Sequence, residues 1–281
     1  MKKIILIIVI LLAFVLGIMI FMYLAEPSSK VTTQDLQSVP SISARHAILI
    51  DGRTGEVLFE KDADTKAYPA STTKIITALT VLNLCELYDI DIQTEVTVPK
   101  EAAGVEGSSI YLKAGEKKTI ENLLYGLMLR SGNDAAAALA ICLGGNLDHF
   151  VEEMNKIAAD LGCTGTSFVN PSGLFDENHY TTARDLACIS QKAMENDIFR
   201  QIVSVKQWEN YFNKNKTVAQ YQGGTGIKIG YTEKSGRTLV ASASRGGEEL
   251  ICVVLSDPNW FNDAYALMDY GFALKGVKND E

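Results

Sequence analysis

Three short polar stretches hold the residues of this 281-residue chain best suited to chemistry: Ser71-Thr72-Thr73-Lys74, Ser131-Gly132-Asn133 and Lys228-Ile229-Gly230. In that order they supply a hydroxyl nucleophile beside a lysine, a second hydroxyl beside a carboxamide, and a second cation on a glycine-bearing strand. That set is equipped for acyl transfer through a serine ester. Ser71 follows Pro69-Ala70 at the expected opening of a helix, where the macrodipole favours an attacking alkoxide. Lys74, three residues on, shares its face, and its amine can take the Ser71 proton if burial and a second cation depress its pKa. Lys228 is the candidate for that second cation.

Ser131-Gly132-Asn133 interrupts an otherwise continuous helical run and lowers a hydroxyl and an amide into a cleft. Ser131 is suited to relay a proton to the leaving group and Asn133 to hold a substrate amide. Around Lys228, Gly230 permits close approach by a substrate chain pairing with the strand. The N–H groups of Tyr231 and Ser71 are placed to form an oxyanion hole. Each stretch alone has an ordinary structural alternative: an N-cap with a solvated lysine, a helix–helix turn, or an edge strand with one lysine. Their combination makes acyl transfer the reading to test.

These stretches need a scaffold. Runs at His46 to Ile50 and Glu56 to Phe59 flank the turn cluster 51–55 and predict a hairpin. Arg237 to Ser244 and Glu249 to Leu255 predict a second hairpin, with a strand at Gly226 to Tyr231 just before it. Apolar periodicity predicts helices over 71–84, 119–130, 150–161 and 260–274. The expected fold is α/β (α+β): a mostly antiparallel sheet built from both chain ends, covered by helices, with an inserted, mainly helical lobe.

Lys2 and Lys3 precede an uncharged run from Ile4 to Ala25, closed by Glu26 and Pro27. That length suits a bilayer span, and the flanking lysines put the remainder outside the cell. Tyr23 and Ala25 make a poor cleavage site, which favours an uncleaved signal-anchor over 1–26, with a cleaved signal peptide as the alternative. Residues 27–43, rich in Pro, Ser, Thr and Gln, read as a linker, and 44–277 as one enzymatic domain. The net charge of −8 comes from scattered acids with no basic stripe, which speaks against nucleic-acid binding. The five cysteines show no zinc spacing, and no metal, cofactor or disulfide framework is expected. His46, His149 and His179 show no ligand spacing and receive no role.

The stretches 68–74 and 127–134, Asn170-Pro171-Ser172-Gly173-Leu174 with Thr182-Ala183-Arg184-Asp185, and 228–232 resemble the low-molecular-mass penicillin-binding proteins that act as D-alanyl-D-alanine carboxypeptidases (peptidase S11-like). The resemblance runs from about Arg45 to Phe272. It implies a β-lactamase/transpeptidase-like fold and a penicillin-sensitive serine peptidase of the bacterial cell membrane. Such an enzyme trims the terminal D-alanine of peptidoglycan pentapeptide stems through a Ser71 acyl-enzyme, and β-lactams are covalent inhibitors. By motif position it makes Lys74 the base, Ser131 the proton relay, Asn133 a substrate binder and Lys228 the electrostatic partner, with Arg184 as a supporting polar residue or else a surface ion pair.

Three departures stand out. Ile229 occupies the place of a hydroxyl residue that helps bind the substrate carboxylate, and the segment 257–262 lacks the arginine common near the last helix. Thr232 and Lys228 are then left to recognise the carboxylate, or activity is reduced or redirected. The better-known members also continue into a β-rich domain and an amphipathic helix, whereas this sequence stops at Glu281, which leaves the N-terminal segment as the expected attachment. A DD-endopeptidase and a catalytically weakened peptidoglycan- or penicillin-binding protein stand as alternatives. A class A β-lactamase is disfavoured because 176–179 does not set Glu177 in the pattern needed to activate a deacylating water.

Overall fold

The computed structural model describes residues 38–277. The anchor expected over 1–26 and most of the linker lie outside the described residues. Ser43, at the linker's end, already belongs to the fold, since its hydroxyl bonds Asp257 and Asp263 at 2.8 Å each.

Five strands make the main sheet: β1 (His46–Asp51), β2 (Val57–Lys61), β7 (Gly224–Thr232), β8 (Gly236–Arg245) and β9 (Glu248–Leu255). Their order is β2-β1-β9-β8-β7 and every pairing is antiparallel, so both chain ends meet at β1 and β9. The central strands are covered on both faces, which explains runs such as Leu250 to Leu255 where alternation would otherwise be expected. One face, with Ile48, Ile50, Val240, Ile251 and Val253, packs on the helical lobe. The other, with Ala47, Leu49, Leu239, Cys252 and Val254, packs on Leu267, Met268 and Phe272 of the last helix, α8 (Trp260–Leu274).

Between β2 and β7 the chain forms α1 (Lys74–Leu87), α2 (Ile120–Leu129), α3 (Asn133–Gly144), α4 (Leu147–Asp160), α5 (Ala183–Met194), α6 (Asp197–Ser204) and the short α7 (Thr217–Gln220). Two small ribbons, β3 (Glu95–Thr97) with β4 (Lys117–Thr119) and β5 (Gln207–Trp208) with β6 (Tyr211–Phe212), complete it. Helix starts are fixed by side-chain caps: Thr119, Asn146, Thr182 and Asn196 each accept from the backbone N–H three residues on. α1 is buried almost all round, with Ile75, Ile76, Leu79, Val81 and Leu82 in the core, and its buried hydroxyls are satisfied by backbone carbonyls. It is therefore the central post of the lobe.

One local expectation changes. Ser71 does not open an α-helix; it sits in a 3-10 turn, Ala70–Thr73, and the α-helix begins at Lys74. Ala70, the first residue of that turn, has φ +50 in the left-handed region, and the Ser71 N lies against β7 at Gly230.

Candidate active site

Ser71 is half-buried, and the amine of Lys74 stands 3.1 Å from its Oγ. Lys74 is wholly buried. Its Nζ also reaches Asn133 Oδ1 at 2.7 Å and the Ser172 carbonyl at 2.5 Å. Burial, then the nearby charges of Lys228 and Lys214, hold its pKa well below the usual lysine range, while Asp134 pulls the other way. A neutral amine has two N–H donors and one lone pair. The two carbonyl-type acceptors take the donors, and the lone pair is left for the Ser71 hydroxyl proton.

Each partner of Lys74 is positioned by its own loop. Ser172 lies in an Asx turn: Asn170 Oδ1 accepts from the N–H groups of Ser172 and Gly173 and from the Ser172 hydroxyl. Gly173, at φ +83, presses on the nucleophile turn so closely that a Cβ there would overlap the Ala70 carbonyl. Asn133 begins α3, donates through Nδ2 to the Glu106 carbonyl at 2.6 Å, and is capped by the segment 106–112. That segment is tied down by Asp134, whose carboxylate accepts from the Ser109 hydroxyl and the N–H groups of Ile110, Leu112 and Ala135.

Ser131 fills the break between α2 and α3 at φ +65, a conformation costly for any residue but glycine. It is buried, 5 % exposed, and its hydroxyl takes no hydrogen bond from the described residues. Lys228, also buried, has only the Ile229 carbonyl as acceptor among the described residues, at 3.0 Å, and burial followed by Lys214 lowers its pKa to about 7. Lys228 pairs with Val240 and so points to the lobe face of the sheet, as do Gly230 and Thr232. A Cβ on Gly230 would lie 2.8 Å from Ser71 N and 2.5 Å from Thr238 Oγ1. Glycine there is what lets β7 touch the nucleophile turn.

The remaining sequence candidates fall differently. Ile229 faces the α8 side, opposite Leu239, among the apolar residues packed there. Tyr231 points its ring to solvent, 62 % exposed, leaving its backbone as the part near the cleft. The Thr232 hydroxyl is engaged with Ser235 Oγ at 2.9 Å and Ser235 N at 3.0 Å, a turn-closing role. Arg184 is not brought to the cleft. It forms a surface ion pair with Asp64 and Glu60, at 2.7 and 2.6 Å, and Glu177 lies exposed on its loop.

Sequence reasoning missed Ser172, Asp134, Lys214 and His179. The Asn-Pro-Ser-Gly turn signalled the first and the Asp following Asn133 the second. Nothing local marked Lys214, whose charge is felt at both Lys74 and Lys228. Nothing marked His179 either, whose Nδ1 accepts from Val169 N and whose Nε2 then donates to Thr73 Oγ1 at 2.8 Å.

Comparison with known proteins places this geometry in a family. The family model described as D-alanyl-D-alanine carboxypeptidase, peptidase S11, matches residues 32–259. The D-alanyl-D-alanine carboxypeptidase DacF of Bacillus subtilis is 33% identical over 274 residues, covering 92% of this chain and 69% of the relative. A D-alanyl-D-alanine carboxypeptidase of Streptomyces sp. (strain K15) is 34% identical over 277 residues, covering 89% of this chain and 92% of the relative. The crystal structure of the Streptomyces K15 DD-transpeptidase superposes with a TM-score of 0.80 at 34% identity, covering 84% of this chain and 100% of that one. With most of its length matched by both family model and relatives, the chain belongs to the peptidase S11 family, the D-alanyl-D-alanine carboxypeptidases.

Proposed function

We propose that the protein is a penicillin-sensitive serine D-alanyl-D-alanine carboxypeptidase acting on peptidoglycan stem peptides. The observation that carries this reading is the bonding of Lys74: two acceptors fix its amine and its third direction meets Ser71. In the reaction the Ser71 oxygen attacks the carbonyl carbon of the penultimate D-alanine while Lys74 takes its proton. The oxyanion gathers the N–H groups of Ser71 and Tyr231. Collapse breaks the C–N bond, the departing amine takes a proton relayed through Ser131, and D-alanine leaves. Water then attacks the ester, again with Lys74 as base, and frees Ser71. Lys228 acts as the buried cation that helps depress the Lys74 pKa, and Asn133 acts chiefly as a holder of Lys74. A β-lactam enters the same path, its ring amide opening onto Ser71.

Residues 44–277 are the catalytic domain in this proposal, 27–43 a tether and 1–26 a single membrane anchor with the enzyme outside the cell. The Lys2-Lys3 flank and the long uncharged run support that arrangement. No helix among the described residues is long and apolar enough to cross a membrane.

Mass spectrometry of the protein with benzylpenicillin and then with a peptide ending in D-Ala-D-Ala tests the reaction. The expected result is a covalent penicilloyl adduct on Ser71, absent in Ser71→Ala, together with release of D-alanine. Labelling that persists in Ser71→Ala would remove the serine nucleophile.

A further inference from the structure

β7 is the free edge of the main sheet. A chain laid along that edge past Gly230 reaches Tyr231 and the turn 232–236, beside which opens a cavity of about 840 Å3. Arg45, Lys234 and Arg237 line it, together with Tyr231, Asp257 and Trp260. An anion fits such a wall better than an apolar group.

Arg237 is the best placed of the three cations. It stands directly opposite Tyr231 on β8, two places from Leu239, the partner of Ile229. Opposite residues of an antiparallel pair share a face, and diagonal neighbours lie about 7–8 Å apart. Ile229, Tyr231 and Arg237 therefore form one row on the α8 face of the sheet edge, across β7 from Lys228 and Gly230. The Arg237 guanidinium donates to the Pro258 carbonyl at 2.7 Å and stands 5.9 Å from the Trp260 ring centroid. It makes no ion pair among the described residues. One of five donors is thus held, which fixes the fork and leaves the others free. A second feature points to a ligand here. Asp257, 1 % exposed, has an Oδ2 with no hydrogen-bond partner among the described residues, and burial, with the neighbouring Asp263 carboxylate adding to it, pushes its pKa up. Glu233 is the other acid on this wall, and it is solvent-exposed.

We propose that this cavity receives the leaving side of the substrate and that Arg237 binds its terminal carboxylate, a task for which Ile229 has no hydroxyl. The proposal rests on the acyl-transfer reading above.

Stem peptides carry side-chain carboxylates as well, so the test compares one peptide ending in D-Ala-D-Ala with the same peptide amidated at its C-terminus. Loss of a charged hydrogen-bond partner corresponds to about tenfold to hundredfold in binding. Arg237→Gln should raise KM for the free acid by about that factor, leave kcat within about threefold, and change the amide little. Arg237→Lys, which keeps the charge, should lie between. Equal effects of Arg237→Gln on acid and amide would assign Arg237 to a side-chain carboxylate or to the fold, and no effect on either would empty the site; both overturn the proposal. A wild type that forms no acyl-enzyme refutes the acyl-transfer reading itself, whereas normal turnover without acid–amide discrimination by Arg237 refutes only this inference.

Discussion

Asn133 Oδ1 lies 2.7 Å from Lys74 Nζ, so the residue expected to hold substrate also holds the lysine proposed as base. This contact joins the break between α2 and α3 to the head of α1, and it uses an acceptor that the amine cannot replace with water in a buried site. Asn133→Leu should leave Lys74 with one fewer fixed direction. Its amine then has a donor to spend on Ser71, which removes the lone pair from the hydroxyl. The second-order rate of penicillin acylation should fall by about a hundredfold, as expected for loss of general-base alignment. A stopped-flow or labelling time course measures it; a rate within threefold of wild type would return Asn133 to substrate binding.

Lys228 carries a stability cost with a definite pH dependence. In the unfolded chain its pKa is the ordinary 10.5, and in the folded protein about 7. Between those values the unfolded state binds more protons, so stability rises with pH from about 7 toward 10.5. Lys228→Met removes this dependence and should stabilise the protein at pH 7 by roughly 2–4 kcal/mol while slowing acylation sharply. Urea unfolding at pH 7 and pH 9.5 reads both effects. A variant less stable than wild type at pH 7 would show that the buried ammonium is better satisfied than its single carbonyl partner implies.

Gly230→Ala should act through contact with the Ser71 turn and Thr238. The added methyl meets Ser71 N at 2.8 Å and Thr238 Oγ1 at 2.5 Å, so the Ser71 main chain must shift to make room. Displacing that N–H by a few tenths of an ångström misaligns an oxyanion donor, worth about 10²–10³ in rate. Circular dichroism should be unchanged and penicillin labelling slowed to that extent. Wild-type labelling kinetics would mean that β7 has room to recede.

The sheet and the order of helices were legible because their patterns are local: the two hairpins have turn clusters at 51–55 and 245–247, and the helix over 260–274 matches its boundaries. The site was legible only as far as its motifs. Ser71, Lys74, Asn133 and Lys228 converge, but their division of labour depends on contacts between distant segments. Lys74 bonds Ser172 across 98 positions, and nothing near Lys74 in sequence predicts it. Arg184 shows how contacts between distant segments decide between two open readings. Its motif left a supporting role and a surface ion pair both open, and its guanidinium pairs with the carboxylates of Asp64 and Glu60 at the surface. The positive φ of Ala70 and Ser131 was also hidden, since both are residue types that ordinarily avoid it.

His179 should behave as a structural base that must stay neutral. Burial lowers its pKa to about 4, and Lys74 adds to that effect while Asp176 opposes it. Protonation requires Nδ1 to give up the Val169 N–H. Against an ordinary value of 6.5, the unfolded chain takes up the proton first, so stability is complete above about pH 6.5 and is lost as pH falls toward 4. The loss amounts to about 3 kcal/mol. In His179→Asn, unfolding followed from pH 7 to pH 4 should lack this component. The variant should also acylate more slowly through Thr73, which His179 holds beside Lys74. An unchanged pH slope would mean that other groups govern acid unfolding.

Asp134 offers two readouts that separate structure from electrostatics. Its carboxylate accepts from one hydroxyl and three N–H groups, and in Asn one oxygen becomes an NH2 facing those donors. Unpairing buried donors costs about 1–3 kcal/mol each, and about 1 kcal/mol lowers Tm by 2–4 °C in a domain of this size. Asp134→Asn should therefore melt about 4–10 °C below wild type, with segment 106–112 loosened over Asn133. Asp134 is also the anion that raises the Lys74 pKa against the surrounding cations. Removing it lowers that pKa further, so the acid limb of the acylation rate should move to lower pH. A lower Tm with an unmoved acid limb would confine Asp134 to holding the loop. Movement of the limb in the predicted direction identifies Lys74 as the group whose deprotonation starts the reaction.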